Sequence, residues 1–417
     1  LLAGTFLIGD ALEPPTLLAD PSLGTDPVID AHDDHLWEGE RTVKSLYIVV
    51  RNFKIDTTAV ENDTGARAMD WSVDQGCSLV NVQFVMPKGS KHTGLTMERG
   101  GSGLVIADCT FTGGAVDMEV FNEQYMLKGL KFDGCHTGIK FKRSFVTVIQ
   151  GCTFSECAVA VDASLPDSTG TLSVVDSSFF NCEYGVDVYT NGTIPSGVSP
   201  LVLHNVAVEG DNVKAAVIGS GGSTLLSDLK SRDVTWIQGK RYVSHPIHRH
   251  EKLTPGGRYF TTPIPQYENY NVSQFVNVKN EPEFFVVWGD NIHDDGPAIN
   301  SLLQKYAGCK ILFFPQGIYK THQTIHVPPG SRLVGEALSV IAGWGDHFSD
   351  PSDPKPILEV GKEGDRGVAQ FTDMLFSVGD VFPERSLSKS TPRPELPVMS
   401  AFGTALYVSA ARTLCGS

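Results

Sequence analysis

The sequence predicts an all-β protein built as a parallel β-helix, in two tandem copies of which the second is truncated. Three observations predict it. Between Val105 and Phe179 one short pattern occurs four times, as VIADCTF, LKGLKF, VIQGCTF and VVDSSF. Each is an aliphatic run, then Asp or Gly, then Phe three residues on: Asp108/Phe111, Gly129/Phe132, Gly151/Phe154 and Asp176/Phe179. Repeats this short, with β-branched runs, Gly, Asn and Asp at the corners and no helical periodicity, make stacked coils of strand. Finally, TFLIGDALEPP at 5–15 nearly recurs as SRLVGEALSVI at 331–341. Gly9-Asp10-Ala11 thus matches Gly335-Glu336-Ala337 at an offset of 326, and Asn52/Ile55 matches Asp373/Phe376 at an offset of 321. Two independent matches at nearly one offset argue for duplication of a whole domain.

The bulk properties narrow the function classes. At 417 residues the chain is long enough for about two domains. Only 19% of residues are charged and 42 are Gly, which suits strands and tight turns rather than disorder. A net charge of -15 argues against a nucleic-acid partner, because such a surface releases no counterions from phosphates. No apolar run reaches the length of about 18 residues that a membrane span needs, so no membrane partner is expected. The sequons at Asn62, Asn191 and Asn271 favour a secreted, extracellular protein. The cysteines follow the repeat: Cys135, Cys157 and Cys182 lie three residues after a repeat Phe, and Cys109 and Cys152 two before one. Equivalent positions on stacked coils sit about 4.8 Å apart, so a buried ladder of small residues is the expectation. Neither a CxxC pair nor a Cys/His spacing supports a metal, and no cofactor is expected.

Taken in order, the first domain covers 1–237, with its own start missing. Its columns run Asn52/Ile55, Asn81/Phe84, Asp108/Phe111, Gly129/Phe132, Gly151/Phe154, Asp176/Phe179, Asn205/Val208 and Asp233/Trp236. The apolar column fills the core and the Asn/Asp column bonds corner backbone. From 238 to 280 the repeat gives way to a Pro-, Tyr- and His-rich connection, whose aromatic residues predict packing against a domain rather than a floppy linker. His245, His248 and His250 there match no ligand spacing, and Arg249 between them repels a cation. The second domain starts at 281 and runs to 382. Asp294 or Asp295 caps a helix whose Ile299, Leu302 and Leu303 form one apolar face, covering the open end of the second β-helix. The text from 383 to 417 lacks the coil pattern and reads as an atypical tail, so the chain is expected to be a fragment lacking both ends.

Gly289-Asp290-Asn291-Ile292-His293-Asp294-Asp295 resembles the Gly-Asp-Gly-Val-Thr-Asp-Asp opening of pectate-lyase-like β-helix proteins. Ala307–Lys310, Pro315–Tyr319 and Val334–Ala337 are similar to the second domain of glycoside hydrolase family 55, the fungal exo-β-1,3-glucanases. In the first domain, His92–Glu98 resembles that family's His-Gln-Gly-x-x-Met-Glu, and Val120–Tyr125 its Val-Gly-Asn-Gln-Gln-Phe. The likeness covers most of residues 1–382. It implies two side-by-side right-handed β-helices with a glucan cleft between them, acting as a monomer on a β-1,3-glucan polysaccharide.

The resemblance also implies an inverting hydrolase, in which a carboxylic acid protonates the leaving oxygen while polar groups position water on the opposite face. By family likeness a Gln and a Ser on neighbouring coils hold that water. Gln124 matches the Gln, and Ser144 one coil later is the candidate Ser; spacing of 20 residues puts them on roughly one face. The acid is implied in coils following Met374-Leu375-Phe376, where this chain departs from the family, and Gln370 stands where a family Glu is expected. Lys142-Arg143-Ser144-Phe145 replaces a Trp/Asn-rich stretch, which removes expected sugar-stacking faces. Glu98, Glu119 and Glu123 remain as acidic substrate-binding candidates in the first domain. The expected function is therefore a secreted glucan exo-1,3-β-glucosidase-like hydrolase, inactive as this fragment. The alternative is a non-catalytic polysaccharide-binding β-helix. A pectin-active enzyme is disfavoured, because clustered Asp residues with Gly-His-Gly and Arg-x-Lys, or calcium-binding carboxylates beside an Arg base, are missing from the sequence.

Overall fold

A computed structural model describes residues 1–378 apart from 33–44, 103–104, 191–199, 230–233, 239–248, 250, 252–253, 282–285, 351 and 363, with 337–338 described by backbone alone. The sequon at Asn191, the trio His245, His248 and His250, Asp233 and the tail at 383–417 lie outside the described residues. The chain divides into two compact units, Leu1–Ile264 and Pro265–Ser417.

The first unit is a parallel β-helix. One coil runs through Gln124–Lys128, a corner at Gly129, Lys131–Asp133 and a turn into Thr137–Gln150, and each strand pairs in parallel with its counterpart on the next coil. Leu127 aligns with Ile149, Phe132 with Phe154, and Thr137 with Val159. The repeat Phe column is a continuous stack inside the helix. Phe84, Phe111, Phe132 and Phe154 lie nearly parallel with centroids 4.6, 5.0 and 4.5 Å apart, and Phe179 turns edge-on at 5.2 Å. Each of these rings is at most 1% exposed, and burial of a side chain this size contributes about 1.5–3 kcal/mol.

The Asn/Asp/Gly column has a sharper cause than corner bonding. Asn52, Asn81, Asp108, Gly129, Gly151, Asp176 and Asn205 all hold φ between 52° and 64°. In that left-handed region a Cβ crowds the following carbonyl, and only Gly, Asn and Asp visit it routinely. Side-chain bonding adds to it: Asn81 Nδ2 donates to Asn52 Oδ1 (2.8 Å), Asn52 Nδ2 to Gly9 O (3.0 Å) and Asn205 Nδ2 to Asp176 Oδ1 (2.5 Å). Cys77, Cys109, Cys135, Cys152, Cys157 and Cys182 are buried and unbridged, and Cys309 is exposed.

The column does not extend to Trp236. Thr235–Gln238 pairs antiparallel to Leu201–His204, and Ser223–Leu226 antiparallel to Ala215–Gly219. The chain thus reverses at the last coil, which covers strand edges that a further parallel coil would leave open. The described residues between 249 and 264 are fastened along the left-handed corner. Arg249 Nη1 and Tyr259 N donate to the two oxygens of Asp176 (2.7 and 2.9 Å), Lys128 Nζ to Thr262 O (2.7 Å), and Ile264 N to Asp108 Oδ2 (3.2 Å). The Arg249 guanidinium lies 4.4 Å from the Tyr259 ring centre. As the aromatic content predicts, this segment packs on the coils.

In the second unit Phe275–Asn277, Ile311–Phe314, Arg332–Gly343 and Gln370–Val378 pair in parallel, as do Ile325–Val327 and Leu358–Val360. The helix Gly296–Tyr306 buries Ile299, Leu302 and Leu303 in the same core as Phe314, Tyr319 and Ile325. Of the two capping candidates, Asp294 Oδ1 accepts from Gly296 N (3.0 Å), whereas Asp295 turns back to Trp288 N (2.7 Å) and Gly289 N (2.9 Å). The matched positions have matching local geometry. A Cβ on Gly9 would lie 2.1 Å from Asn52 O and one on Gly335 2.0 Å from Asp373 O, with Asn52 and Asp373 at φ 59° and 55°.

Candidate functional site

The family-like strings of the first unit fall on Thr93–Thr96 and Val116–Phe121, which continue into Gln124–Lys128. Most of their polar residues are structural. His92 is fully buried between Thr57 Oγ1 (3.0 Å) and Glu61 O (2.9 Å). Asn122 is buried and donates to Val73 O (3.2 Å). The three carboxylate candidates are also engaged. Glu98 meets Arg67 Nη1 (3.1 Å), which also binds Asp70 (3.2 Å); Glu119 pairs with Lys142 (2.5 Å); Glu123 Oε2 accepts from Ser102 Oγ (2.7 Å) and N (3.1 Å). Ser102 holds φ 47°, so Glu123 stabilises a left-handed turn beside Gln124.

Gln124 is exposed at the start of its strand and aligns with Val146 on the next coil. Ser144 precedes that position by two residues. It is 2% exposed, aligns with Thr169, and shares a 2.7 Å hydrogen bond with Thr147 Oγ1. The structure therefore turns Ser144 inward and does not bring it onto the outward face that carries Gln124. The reason is local: Phe145 and Val146 are both exposed between buried Ser144 and buried Thr147, so alternation breaks between Ser144 and the position aligned with Gln124. Phe145 N and Val146 N both bond Glu123 O (2.7 and 3.1 Å), which projects the next pair outward.

That outward pair is what the sequence reading missed. Phe145 and Val146 are 49% and 46% exposed, and the Arg143 guanidinium lies 5.4 Å from the Phe145 ring centre. An exposed ring one residue from the position aligned with exposed Gln124 is the kind of surface on which a sugar face stacks while its hydroxyls bond. The only available signal was the Phe in Lys142-Arg143-Ser144-Phe145, and the buried and exposed residues there do not alternate.

In the second unit, Gln370 is half-buried and its Oε1 accepts from Tyr267 Oη (3.2 Å), so it is tied to a residue of its own unit. Asp290 binds His293 Nδ1 (2.8 Å), and the backbone N–H of His293 foremost holds its carboxyl down to about 2. Asp70, Asp108, Asp117 and Asp187 of the first unit are all held above the ordinary carboxylate value, burial being the first cause in each. Asp187 is pushed up to about 6 by burial and then by neighbouring Asp162. Asp117, fully buried with the Cys135 thiol beside its carboxyl, is held well above the usual carboxylate range by burial. Asp117 occupies a strand position aligned with Gly94 and Gly138 on the coils to either side. Among the described residues, no group of three or more His, Cys, Asp and Glu side chains is arranged to hold a metal ion, and no helix is long and apolar enough to cross a membrane.

The coil architecture agrees with comparison to known proteins. Residues 1–162 match the family model described as rhamnogalacturonase A/epimerase, pectate lyase-like. A glucan 1,3-beta-glucosidase of Cochliobolus carbonum is 31% identical over 91% of this chain and 50% of its own length. A glucan endo-1,3-beta-glucosidase of Trichoderma harzianum is 30% identical over 91% of this chain and 50% of its own length. A non-secreted LysM effector of Penicillium expansum is 28% identical over 93% of this chain and 33% of its own length. The chain thus spans between a third and half the length of these curated relatives. By coil geometry the first unit is a pectate-lyase-like β-helix, and by sequence the chain is similar to glucan 1,3-beta-glucosidases over most of its length.

Proposed function

We propose that this chain is the polysaccharide-handling part of a secreted β-1,3-glucan hydrolase of inverting mechanism, working as a monomer without a nucleic-acid or membrane partner. The observation that carries the reading is the likeness to glucan 1,3-beta-glucosidases along nine-tenths of the chain. The outward group of Gln124, Phe145 and Val146 supports it with a surface suited to a sugar ring. In this reading Phe145 takes the apolar face of a glucosyl unit and the Gln124 carboxamide orients the attacking water. Ser144 joins it only when its hydroxyl leaves Thr147. Glu98, Glu119 and Glu123 keep their partners and shape the surface rather than donate a proton. In this reading the acid follows Met374–Phe376 in sequence, outside the described residues, and the chain as given is inactive. Full-length gene product incubated with laminarin is expected to release glucose or a short sugar, whereas purified 1–417 is not. Release by 1–417 alone would overturn the inactivity.

A second reading is favoured by one observation. All three candidate carboxylates of the first unit, Glu98, Glu119 and Glu123, are engaged in ion pairs or hydrogen bonds. A non-catalytic β-helix that only binds polysaccharide needs no free acid. Retained laminarin affinity without hydrolysis by the full-length protein selects this reading over the first.

A further inference from the structure

Cys135, Cys157 and Cys182 each stand two residues before a strand position, and those positions, Thr137, Val159 and Tyr184, are in parallel register on three successive coils. The thiols therefore stack along one line of the interior. They are 4%, 2% and 0% exposed. The Cys135 thiol donates to Cys157 Sγ at 3.0 Å, and Cys157 in turn interacts with Cys182. Neighbouring strands are about 4.8 Å apart, inside the range of about 4.4–6.8 Å between Cα atoms that a disulfide spans.

We infer that this three-thiol stack is a cross-linking site, at which Cys157 forms a disulfide with one of its two neighbours and leaves the third thiol free. The bond joins two adjacent coils of the helix. Chemically, one thiolate of the stack attacks the sulfur of an oxidised dithiol partner, such as glutathione disulfide or a disulfide-exchange catalyst, and displaces one of its thiols. A second stack thiol, having lost its proton, then attacks the mixed disulfide and displaces the other. Two protein thiols are oxidised, one partner disulfide is reduced to two thiols, and the atoms balance. Because Cys157 touches both neighbours, the bond can pass along the stack, with the third thiol as the internal nucleophile.

The interior sets when this happens. The Cys157 thiol is raised foremost by its hydrogen bond with Cys135, and also by burial and by Asp117. Cys182 is raised by Cys157 first and then by burial. The thiolate is the attacking species, so exchange is slow in the closed coil. Closure therefore takes place while the coils assemble in an oxidising medium. The inference goes beyond the glucan reading and stands whether or not the chain touches a sugar.

The test uses the full chain, denatured and alkylated without reductant and then mapped by mass spectrometry. One sample is collected from a secreting eukaryotic host; another is refolded in reduced and oxidised glutathione, which removes any dependence on secretion. The expected result in both is that labelled stack thiols fall from three to one, with a peptide pair joined through Cys157. Cys157→Ala leaves Cys135 and Cys182 both labelled. Full labelling of all three cysteines in the refolded sample, or pairing of Cys157 with a cysteine outside the stack, overturns the inference.

Discussion

Replacing Phe132 with Ala tests the coil interior in the middle of the phenylalanine stack. The ring is 1% exposed and lies between Phe111 at 5.0 Å and Phe154 at 4.5 Å. Truncating a buried Phe removes its transfer free energy and leaves a cavity, a loss of about 3–5 kcal/mol. The two ring contacts, at about 0.5–1.5 kcal/mol each, form part of that loss rather than an addition to it. The control lies nearby in the same repeat. Phe180 follows Phe179 on one strand, points outward and is 50% exposed, so Phe180→Ala costs within about 0.5 kcal/mol. Urea unfolding followed by circular dichroism gives both values from the shift in midpoint at constant slope. A Phe132→Ala cost below about 1 kcal/mol, or equal to that of Phe180→Ala, would refute a stacked interior in this register.

Gly335→Ala places a methyl 2.0 Å from Asp373 O, where backbone must move, so the variant loses several kcal/mol or fails to accumulate; Gly9→Ala, facing Asn52 O at 2.1 Å, behaves alike in thermal melts. Asp187 has its folded pKa raised to about 6 from 3.8, so the folded chain holds that proton more tightly than the unfolded one. Its contribution to stability is present below about pH 4 and is lost as pH rises through about 6. Asp187→Asn flattens that part of the pH–stability curve, and an unchanged curve contradicts the assignment. In the full-length protein, Phe145→Ala weakens laminarin binding by about tenfold, whereas Gln124→Ala lowers turnover with little change in affinity. Equal effects of the two on binding alone would remove Gln124 from the chemistry.

Much of the scaffold was legible in the sequence because each coil imposes the same two constraints at the same spacing. The left-handed corner admits only Asn, Asp or Gly without strain, and the interior beyond it takes an aromatic or aliphatic side chain. Asp108/Phe111 and Gly151/Phe154 therefore look alike although they share no residue at the corner. The same logic reached Asp373, whose φ of 55° repeats that of Asn52. It misled at Trp236, because an antiparallel closing strand has the same composition as a coil strand and only its direction differs.

The candidate site was less legible. Spacing placed Ser144 beside Gln124, but alternation breaks at Phe145–Val146, which leaves Ser144 buried and both of those residues exposed. A local irregularity of this kind re-aims the side chains around it, and composition carries no trace of it. Glu98, Glu119 and Glu123 were visible as acids, but Arg67, Lys142 and Ser102 become their neighbours only when the coils stack. Asp117 gave no signal either. Its column is small and apolar only once the register with Gly94 and Gly138 is known.

The measurement that bears most directly on the account is the anomeric form of sugar released from laminarin by the full-length gene product, followed by proton NMR from the first minutes. An inverting β-1,3-glucanase releases the α-anomer first, and Gln124→Ala suppresses that signal. Initial release of the β-anomer contradicts the inverting mechanism, and neither release nor binding at any pH contradicts the glucan reading as a whole.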